Sequence, residues 1–177
     1  METTLNLKTP ESNMKEYTVK VEKDGTKYWY MKGQLHREDG PAIEWADGDK
    51  EWYMNNKLHR EDGPAVEYAS GTKMWYKNGE LHREDGPAIE FADGAKIWYK
   101  NGQLHREDGP AVEYASGTKS WYQNGQLHRE DGPAVECTDG TKFCYKNGRR
   151  VTEQEVLGAC SGKIVEIDGI KYMLTRI

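Results

Sequence analysis

Five copies of the sequence His-Arg-Glu-Asp-Gly-Pro-Ala each bring together an imidazole, a guanidinium and two carboxylates, side chains that serve in acid–base chemistry and in metal binding. The copies begin at His36, His59, His82, His105 and His128, a constant spacing of 23 residues. A metal site needs three or four ligands that converge on one point. Along a strand, alternate residues of the motif would point to opposite faces, and each guanidinium would repel a cation. The motif therefore predicts no metal site.

Catalysis is also disfavoured by the number of copies. Enzymes place one set of reacting groups in one pocket, whereas five equal copies indicate a structural need that each repeat meets again. On this interpretation Asp85 caps the turn that follows it, and Arg83 pairs with Glu90 or with acids of the next repeat. His82 packs on Trp75 with one ring nitrogen bonded to the backbone. The predicted staples between repeats are Arg37, Asp39, Arg60, Asp62, Arg83, Asp85, Arg106, Asp108, Arg129 and Asp131. No catalytic residue, cofactor or metal ligand is predicted, and we do not expect an enzyme.

The segments between the motifs have the pattern of short strands. In one repeat the predicted strands are 87–92, 95–100 and 103–106. They are separated by Asp93-Gly94 and Asn101-Gly102, and both dipeptides are strong signals for two-residue hairpin turns. Two such turns would place Ile89, Trp98 and His105 side by side on one face. The pattern predicts an antiparallel meander with almost no helix.

A strict period of this length is typical of repeat arrays, in which each unit contacts its neighbours and no central core is required. The predicted fold is all-β, an elongated single-layer antiparallel β-meander solenoid of 23-residue repeats with a short C-terminal helix and hairpin as a cap. We predict a flexible leader over residues 1–15, the repeat array over 16–150 and the cap over 151–177. Thr152 and Glu155 have capping-box spacing, which predicts a helix over 153–160 before a hairpin around Asp168-Gly169.

Composition narrows the functional classes. The 177 residues carry a net charge of −5 with charges of both signs interspersed, so no basic face is expected and nucleic acid is not a predicted partner. No apolar run approaches the roughly 18 residues of a membrane span, and no signal peptide opens the sequence. The three cysteines cannot all pair with one another. A reducing, cytoplasmic setting is the prediction.

The frame of an aromatic pair, Asn-Gly, His and two further glycines resembles the MORN (membrane occupation and recognition nexus) repeat. It is most similar to the MORN-like variant of bacterial, phage and large-virus proteins. In one copy the matching residues are Trp75, Tyr76, Asn78, Gly79, His82, Gly86 and Gly94. The resemblance covers about residues 17–148, with a departure at Arg83, where the common MORN unit has glycine after its histidine. It implies a twisted, elongated meander that acts as a binding or dimerising scaffold without catalytic activity. Lipid binding is not carried over, because the chain lacks a basic face.

The first functional hypothesis is a non-enzymatic scaffold that presents Trp and Tyr side chains to a protein partner, because these residues dominate binding hot spots. In the phage setting that the resemblance implies, the partner would be a host defence or regulatory protein and the chain its inhibitor. The candidate partner-binding residues are Trp52, Trp75, Trp98, Trp121, Tyr53, Tyr76, Tyr99 and Tyr122. Two alternatives remain open. One is a sponge for nucleotide-like anions held between the Trp and Arg rows, and the other is self-assembly, including a homodimer through an edge or a terminal repeat.

Overall fold

Short antiparallel strands dominate the structure, a computed structural model that describes residues 3–7, 16–157, 164–167 and 170–173. The predicted all-β antiparallel meander of 23-residue repeats is confirmed. The chain forms two compact units, Met1–Gly102 and Gln103–Ile177, and the boundary between them falls inside a repeat. Each unit is described by itself below.

Within the described residues, each unit is built from strands of two to five residues. The first unit contains β1 (Thr3–Leu7), β2 (Tyr17–Val21), β3 (Lys27–Met31), β4 (Gln34–Leu35), β5 (Ile43–Glu44), β6 (Lys50–Glu51), β7 (Tyr53–Met54), β8 (Lys57–Leu58), β9 (Val66–Glu67), β10 (Lys73–Met74), β11 (Tyr76–Lys77), β12 (Glu80–Leu81), β13 (Ile89–Glu90), β14 (Lys96–Ile97) and β15 (Tyr99–Lys100). The second unit contains β16 (Gln103–Leu104), β17 (Val112–Glu113), β18 (Lys119–Ser120), β19 (Tyr122–Gln123), β20 (Gln126–Leu127), β21 (Val135–Glu136), β22 (Lys142–Lys146), β23 (Arg149–Val151), α1 (Glu153–Leu157), β24 (Ile164–Ile167) and β25 (Ile170–Met173).

Each repeat contributes two strands to a sheet and one hairpin beside it. In the first unit the sheet order is β1-β2-β3-β5-β6-β9-β10-β13-β14, and β7–β8 and β11–β12 are separate hairpins. In the second unit the order is β17-β18-β21-β22-β23, with β19–β20 as the equivalent hairpin. Thr3–Leu7, which the sequence places in the leader, pairs along its whole length with β2.

The Asn-Gly turn adopts the predicted two-residue form. Asn78 and Gly79 have φ angles of 55° and 89°, as a type I′ turn requires, and Tyr76 pairs with Leu81 across it. The equivalent residues of the other copies also have positive φ angles. Asparagine tolerates this region better than most residues, which explains why this turn could be predicted.

The other turn differs from the prediction. Gly94 N–H donates to the Phe91 carbonyl oxygen at 3.0 Å, and Gly94 has a φ of 91°. This is a three-residue loop, a type I turn followed by a glycine bulge, and not a two-residue turn. The bulge shifts the register by one residue, so Ile89 lies opposite Ile97. The predicted alignment of Ile89 with Trp98 is therefore wrong.

The ladder is also interrupted at each tryptophan. Trp75 N–H donates to the Ala88 carbonyl oxygen at 2.8 Å, and the Trp75 carbonyl oxygen accepts from His82 N–H at 3.0 Å. The tryptophan thus joins the sheet on one side to the hairpin on the other. For this reason the single strand predicted over 95–100 is two short strands, β14 and β15.

The observed register separates an apolar face from a charged face. In the first unit, residues that lie opposite one another on the apolar face are Tyr28, Ile43, Glu51, Val66, Met74, Ile89 and Ile97. On the charged face they are Lys27, Glu44, Lys50, Glu67, Lys73, Glu90 and Lys96. The buried part of each repeat is small. It consists mainly of one fully buried alanine and, except at the half-buried Val135, the following Ile or Val, as in Ala65 and Val66.

Towards the C-terminal end, a smaller side chain takes the position that tryptophan has in the earlier repeats. Cys144 stands where Trp121 stands one repeat earlier, and it forms a buried cluster with Val151 and Val156 of α1. Glu155 N–H donates to Thr152 Oγ1 at 3.2 Å, and Thr152 N–H donates to Glu155 Oε2 at 2.7 Å. The predicted capping box is therefore confirmed. The helix is described as far as Leu157, so residues 158–160 of the predicted helix lie outside the described residues, and β24 and β25 form the predicted hairpin.

Candidate functional site

The arginine of each motif closes the loop in which it lies. Arg83 Nε donates to Asp85 Oδ1 at 2.9 Å, and its Nη1 donates to Glu90 Oε1 at 2.8 Å and to the Pro87 carbonyl oxygen at 3.2 Å. The guanidinium carbon lies 4.0 Å from the ring centroid of Trp75. The same hydrogen bonds recur at the other copies, formed by Arg37, Arg60, Arg106 and Arg129. The predicted staple residues thus come together in every copy.

Glycine and proline complete this loop for steric reasons. A Cβ atom on Gly86 would lie 3.0 Å from Arg83 Cζ, a distance that Cβ contacts rarely reach. Glycine therefore leaves room for the guanidinium to pass close to the backbone. Proline offers only a carbonyl oxygen, and that oxygen accepts from the arginine. The fixed order Arg-x-Asp-Gly-Pro follows from this packing and from hydrogen bonding.

Arginine also lowers the pKa of its aspartate partner. The hydrogen bond and the charge of Arg83 hold the pKa of the Asp85 carboxyl below its usual range, and Asp62 and Asp108 have the same environment. These carboxylates are exposed, so they remain accessible to solvent while their charge is partly satisfied. Such groups serve better as loop staples than as catalytic acids, which require raised pKa values.

The histidine of each motif joins neighbouring repeats. His82 Nδ1 accepts a hydrogen bond from Asn101 N–H at 3.1 Å, and the same pair recurs between His59 and Asn78 at 3.0 Å. The predicted bond from a ring nitrogen to the backbone is confirmed. On the other side of the ring, His82 Nε2 lies 2.9 Å from Glu84 Oε1. Both ring nitrogens of His82 are therefore engaged in contacts that fix the loop.

Open clefts separate successive loops. One cleft of about 710 Å³ lies between the loops 60–64 and 82–85, and one of about 670 Å³ lies between 37–40 and 59–62. In the second unit an equivalent cleft of about 730 Å³ lies between 106–110 and 128–131. Their walls are mainly Arg, Glu, Asp and Trp side chains. Among the residues that the structure describes, no group of His, Cys, Asp and Glu side chains could hold a metal ion.

The charged face carries an alternating ladder of lysines and glutamates. Glu67 lies between Lys50 and Lys73 across the strands and also accepts from Arg60 Nη1 at 3.0 Å. In the second unit the order Glu113, Lys119, Glu136 and Lys142 repeats the alternation. Opposite charges across antiparallel strands stabilise the pairing. Each of these residues therefore lies opposite a residue of the other charge on a neighbouring strand.

The candidate Trp and Tyr residues take different positions. Trp52, Trp75 and Trp121 are half-buried, and each has an arginine guanidinium about 4 Å above its ring. Tyr53 lies on the apolar side, where its hydroxyl donates to Glu51 Oε2 at 2.8 Å. Burial and this hydrogen bond raise the pKa of Tyr53, and burial raises that of Tyr76. The remaining candidates Trp98, Tyr99 and Tyr122 are also half-buried.

A second set of aromatic residues is more exposed than any of these candidates. Among the described residues, the exposed large hydrophobic side chains are Trp45 (38 %), Tyr68 (39 %), Phe91 (36 %) and Tyr114 (54 %). All four occupy the same position of the repeat, directly before the bulged turn. We use the name exposed aromatic row for Trp45, Tyr68 and Phe91 of the first unit, and Tyr114 has the equivalent place in the second unit. These residues are not among the candidates predicted from the sequence, although their regular position before an Ala-Asp-Gly or Ala-Ser-Gly turn was a signal.

Neighbouring turns hold the exposed aromatic row in place. Ala69 N–H donates to Asp49 Oδ1 at 2.7 Å, and Ala92 N–H donates to Thr72 Oγ1 at 3.2 Å. Trp45 is held further by its Nε1, which donates to Glu51 Oε1 at 3.0 Å, and by an edge contact with Tyr28. The row is therefore a fixed surface, because each turn is bonded to the next.

Comparisons with known proteins yield no assignment. No protein-family model matches the chain, and no curated protein matches it. The described part of the chain contains no helix long and apolar enough to cross a membrane. Cys137 and Cys144 are not in disulfides. The MORN-like resemblance stays a prediction from the sequence.

Proposed function

We propose that the chain is a non-enzymatic repeat scaffold that binds a protein partner through the side of the sheet that carries the exposed aromatic row. The observation that carries this proposal is the row itself, three large aromatic side chains more than a third exposed at equal spacing along one unit. Aromatic side chains bury much area at low entropic cost and are enriched at the centres of protein interfaces. Tyr53 and Tyr76 lie on the same side and would extend the surface.

The tryptophans selected from the sequence have a mainly architectural role in this proposal. Arg60 covers one ring face of Trp52, and Arg83 covers one ring face of Trp75. Each of these arginines is bonded to two carboxylates and a carbonyl oxygen. A nucleotide sponge would need free guanidinium donors and an open ring face for base stacking. The hydrogen bonding of the loops therefore favours the scaffold over the sponge.

The class of partner comes from the resemblance. In the phage setting it implies, a host defence or regulatory protein would bind the scaffold and be inhibited by it. The chain would inhibit its partner by covering the partner's own functional surface. This mode of inhibition needs no catalytic group on the chain. A homodimer would use the same surface or a sheet edge. Light scattering of the purified chain across a concentration series measures its molar mass and so distinguishes self-association from binding to a different protein.

The test compares the natural chain with a variant that lacks the row. Trp45→Ser, Tyr68→Ser and Phe91→Ser are combined, and a matched control carries Glu61→Ser and Lys77→Ser at exposed positions outside the row. With host lysate, the natural chain and the control should retain one stoichiometric protein that the row variant loses, while circular dichroism shows that all three are folded. Equal retention by the row variant would refute the proposal. A nucleotide released on denaturing the purified chain, detected by mass spectrometry, would favour the sponge.

A further inference from the structure

The spacing of the exposed aromatic row restricts what can lie along it. Trp45, Tyr68 and Phe91 each follow a strand of the sheet, and one intervening strand separates each from the next, in the order β5-β6-β9-β10-β13. Neighbouring strands lie about 4.8 Å apart, so the aromatic positions recur about every 9.6 Å. A partner that contacts all three rings must present equivalent groups at nearly this interval.

A polyproline II helix has this interval. It turns once in three residues with a rise of about 3.1 Å each, so every third residue recurs after about 9.3 Å on the same side. Across the two intervals of the row the mismatch is only about 0.6 Å. An α-helix repeats its face every seven residues, or about 10.5 Å, which leaves about 1.8 Å across the row. A β-strand repeats its face about every 6.7 Å. Multiples of this distance match one or two intervals of the row less closely than the polyproline II repeat does.

The chemistry of the row suits the same ligand. A polyproline II segment has no internal hydrogen bonds, so its carbonyl oxygens need donors, and aromatic rings pack against its proline rings. Among the described residues, the Tyr68 hydroxyl has no protein hydrogen-bond partner, and it stands at the centre of the row. An exposed alanine, a small apolar residue, follows each aromatic residue.

Charge complementarity adds a requirement for basic residues. Asp47 and Asp93 are exposed in the turns that follow Trp45 and Phe91, and Glu51 lies beside Trp45. The lysines of the same strands lie on the opposite, charged face, where they pair with glutamates across the sheet. The surroundings of the row are therefore acidic, in agreement with the net charge of −5.

We infer that the exposed aromatic row binds a proline-rich segment of a partner protein in the polyproline II conformation, with a three-residue period and with Arg or Lys beside the prolines. This inference rests on the proposed function and names the ligand of the same surface. Each ring of the row contacts one turn of the segment, Tyr68 donates to one of its carbonyl oxygens, and Asp47 and Asp93 face its basic side chains.

The direct test titrates the full chain into a fluorescein-labelled peptide of three Pro-Pro-Arg triplets and follows fluorescence anisotropy. We expect saturable binding that weakens at least about tenfold with Tyr68→Ser, the effect of losing a central aromatic anchor. Tyr68→Phe, which keeps the ring, should weaken it less, and Phe91→Ser provides a second row variant if Tyr68→Ser does not fold. A peptide of three Gly-Gly-Arg triplets keeps the charge and loses the conformation, so it should not bind. Equal binding of the two peptides would overturn the inference.

Two further arms separate the alternatives. The double variant Glu61→Gln and Glu84→Gln removes charge from the clefts between loops, and its dissociation constant for the proline-rich peptide should stay within about twofold of that of the natural chain. A larger loss of affinity would indicate that the peptide binds in those clefts. A displayed library of random twelve-residue peptides is then selected on the natural chain and on Tyr68→Ser. Sequences that depend on Tyr68 and contain proline at three-residue intervals support the inference. Selected peptides that depend on Tyr68 but lack such prolines refute the proline-rich ligand and leave the proposed binding surface standing. Selected peptides that bind equally well to the Tyr68→Ser variant refute both the ligand and the binding surface.

Discussion

Arg83 lies with its guanidinium carbon 4.0 Å from the ring centroid of Trp75, and the same side chain holds Asp85 and Glu90 through separate nitrogens. One residue therefore joins the tryptophan of its own hairpin to the first strand of the next repeat. The arrangement recurs with nearly the same distances at Arg60 and Trp52. A motif that has the residue types of an active site is thus used to close and space the repeats.

The first prediction concerns this arginine. Arg83→Ala should lower the free energy of unfolding by about 1–2 kcal/mol, because a partly desolvated cation–π contact is lost together with exposed ion pairs of small value. Arg83→Lys should recover only part of this loss, since lysine lacks the planar fork. Urea unfolding followed by tryptophan fluorescence measures both. A loss above about 3 kcal/mol would indicate a buried ionic network instead, and no loss would contradict the contact.

Gly86 gives a sharper test of the same joint. Gly86→Ala should destabilise the chain by about 1–3 kcal/mol, the usual cost of forcing extra volume into a packed site, because the new Cβ would lie 3.0 Å from Arg83 Cζ. In the Arg83→Ala background the penalty should largely disappear, since the guanidinium no longer occupies the space. A double-mutant cycle measures this coupling. Additive losses would mean that Gly86 is required for another reason.

Acid should weaken the joints in a defined window. The pKa values of Asp62, Asp85 and Asp108 are lowered by their arginine partners, so the folded state holds protons less tightly than the unfolded state. Their stabilisation is present above the unfolded value of about 3.9 and is lost as the pH falls through the lower folded values. Asp85→Asn should reduce the slope of stability against pH below about 4. An unchanged slope would show that the contact has no energetic weight.

The charge ladder predicts a strong contrast between two glutamates. Glu67→Gln removes the carboxylate that accepts from Arg60 Nη1 and that lies across the strands from Lys50 and Lys73. It should lower the free energy of unfolding by about 1–2 kcal/mol. Glu61→Gln, at a side chain that is 84 % exposed, should change stability by less than about 0.5 kcal/mol. The Glu67 effect should shrink at high ionic strength, because a half-exposed pair is screened. Equal effects for both variants would mean that the ladder is not a stabilising network.

The sequence predicted the repeat, the sheet class and the Asn-Gly turn because each depends on local chemistry. Asn78 and Gly79 specify a type I′ turn almost by themselves, and the hydrogen-bond acceptors of the Arg83 side chain lie within seven residues of Arg83 along the chain. The bulged turn could not be distinguished in the same way, because Asp-Gly and Ser-Gly occur in both two- and three-residue loops. The exposed aromatic row was missed because exposure is set by packing. Trp75 and Phe91 are both large aromatics in sequence, and only the structure places an arginine over one and leaves the other open.

The C-terminal unit offers a prediction about how the repeats end. Cys144 replaces the tryptophan of the earlier repeats and packs with Val151 and with Val156, which is fully buried. Burial raises the pKa of the Cys144 thiol, which keeps it protonated and apolar.

Cys144→Trp would restore the residue that the earlier repeats have at this position. It should displace α1, because the indole needs the space that Val156 fills. Hydrogen exchange should then show lost protection at Val156, whose N–H donates to the Thr152 carbonyl oxygen at 3.3 Å. Cys144→Ala, which removes only the sulfur, should leave that protection in place, and equal protection in both variants would show that the cysteine is not what admits the helix.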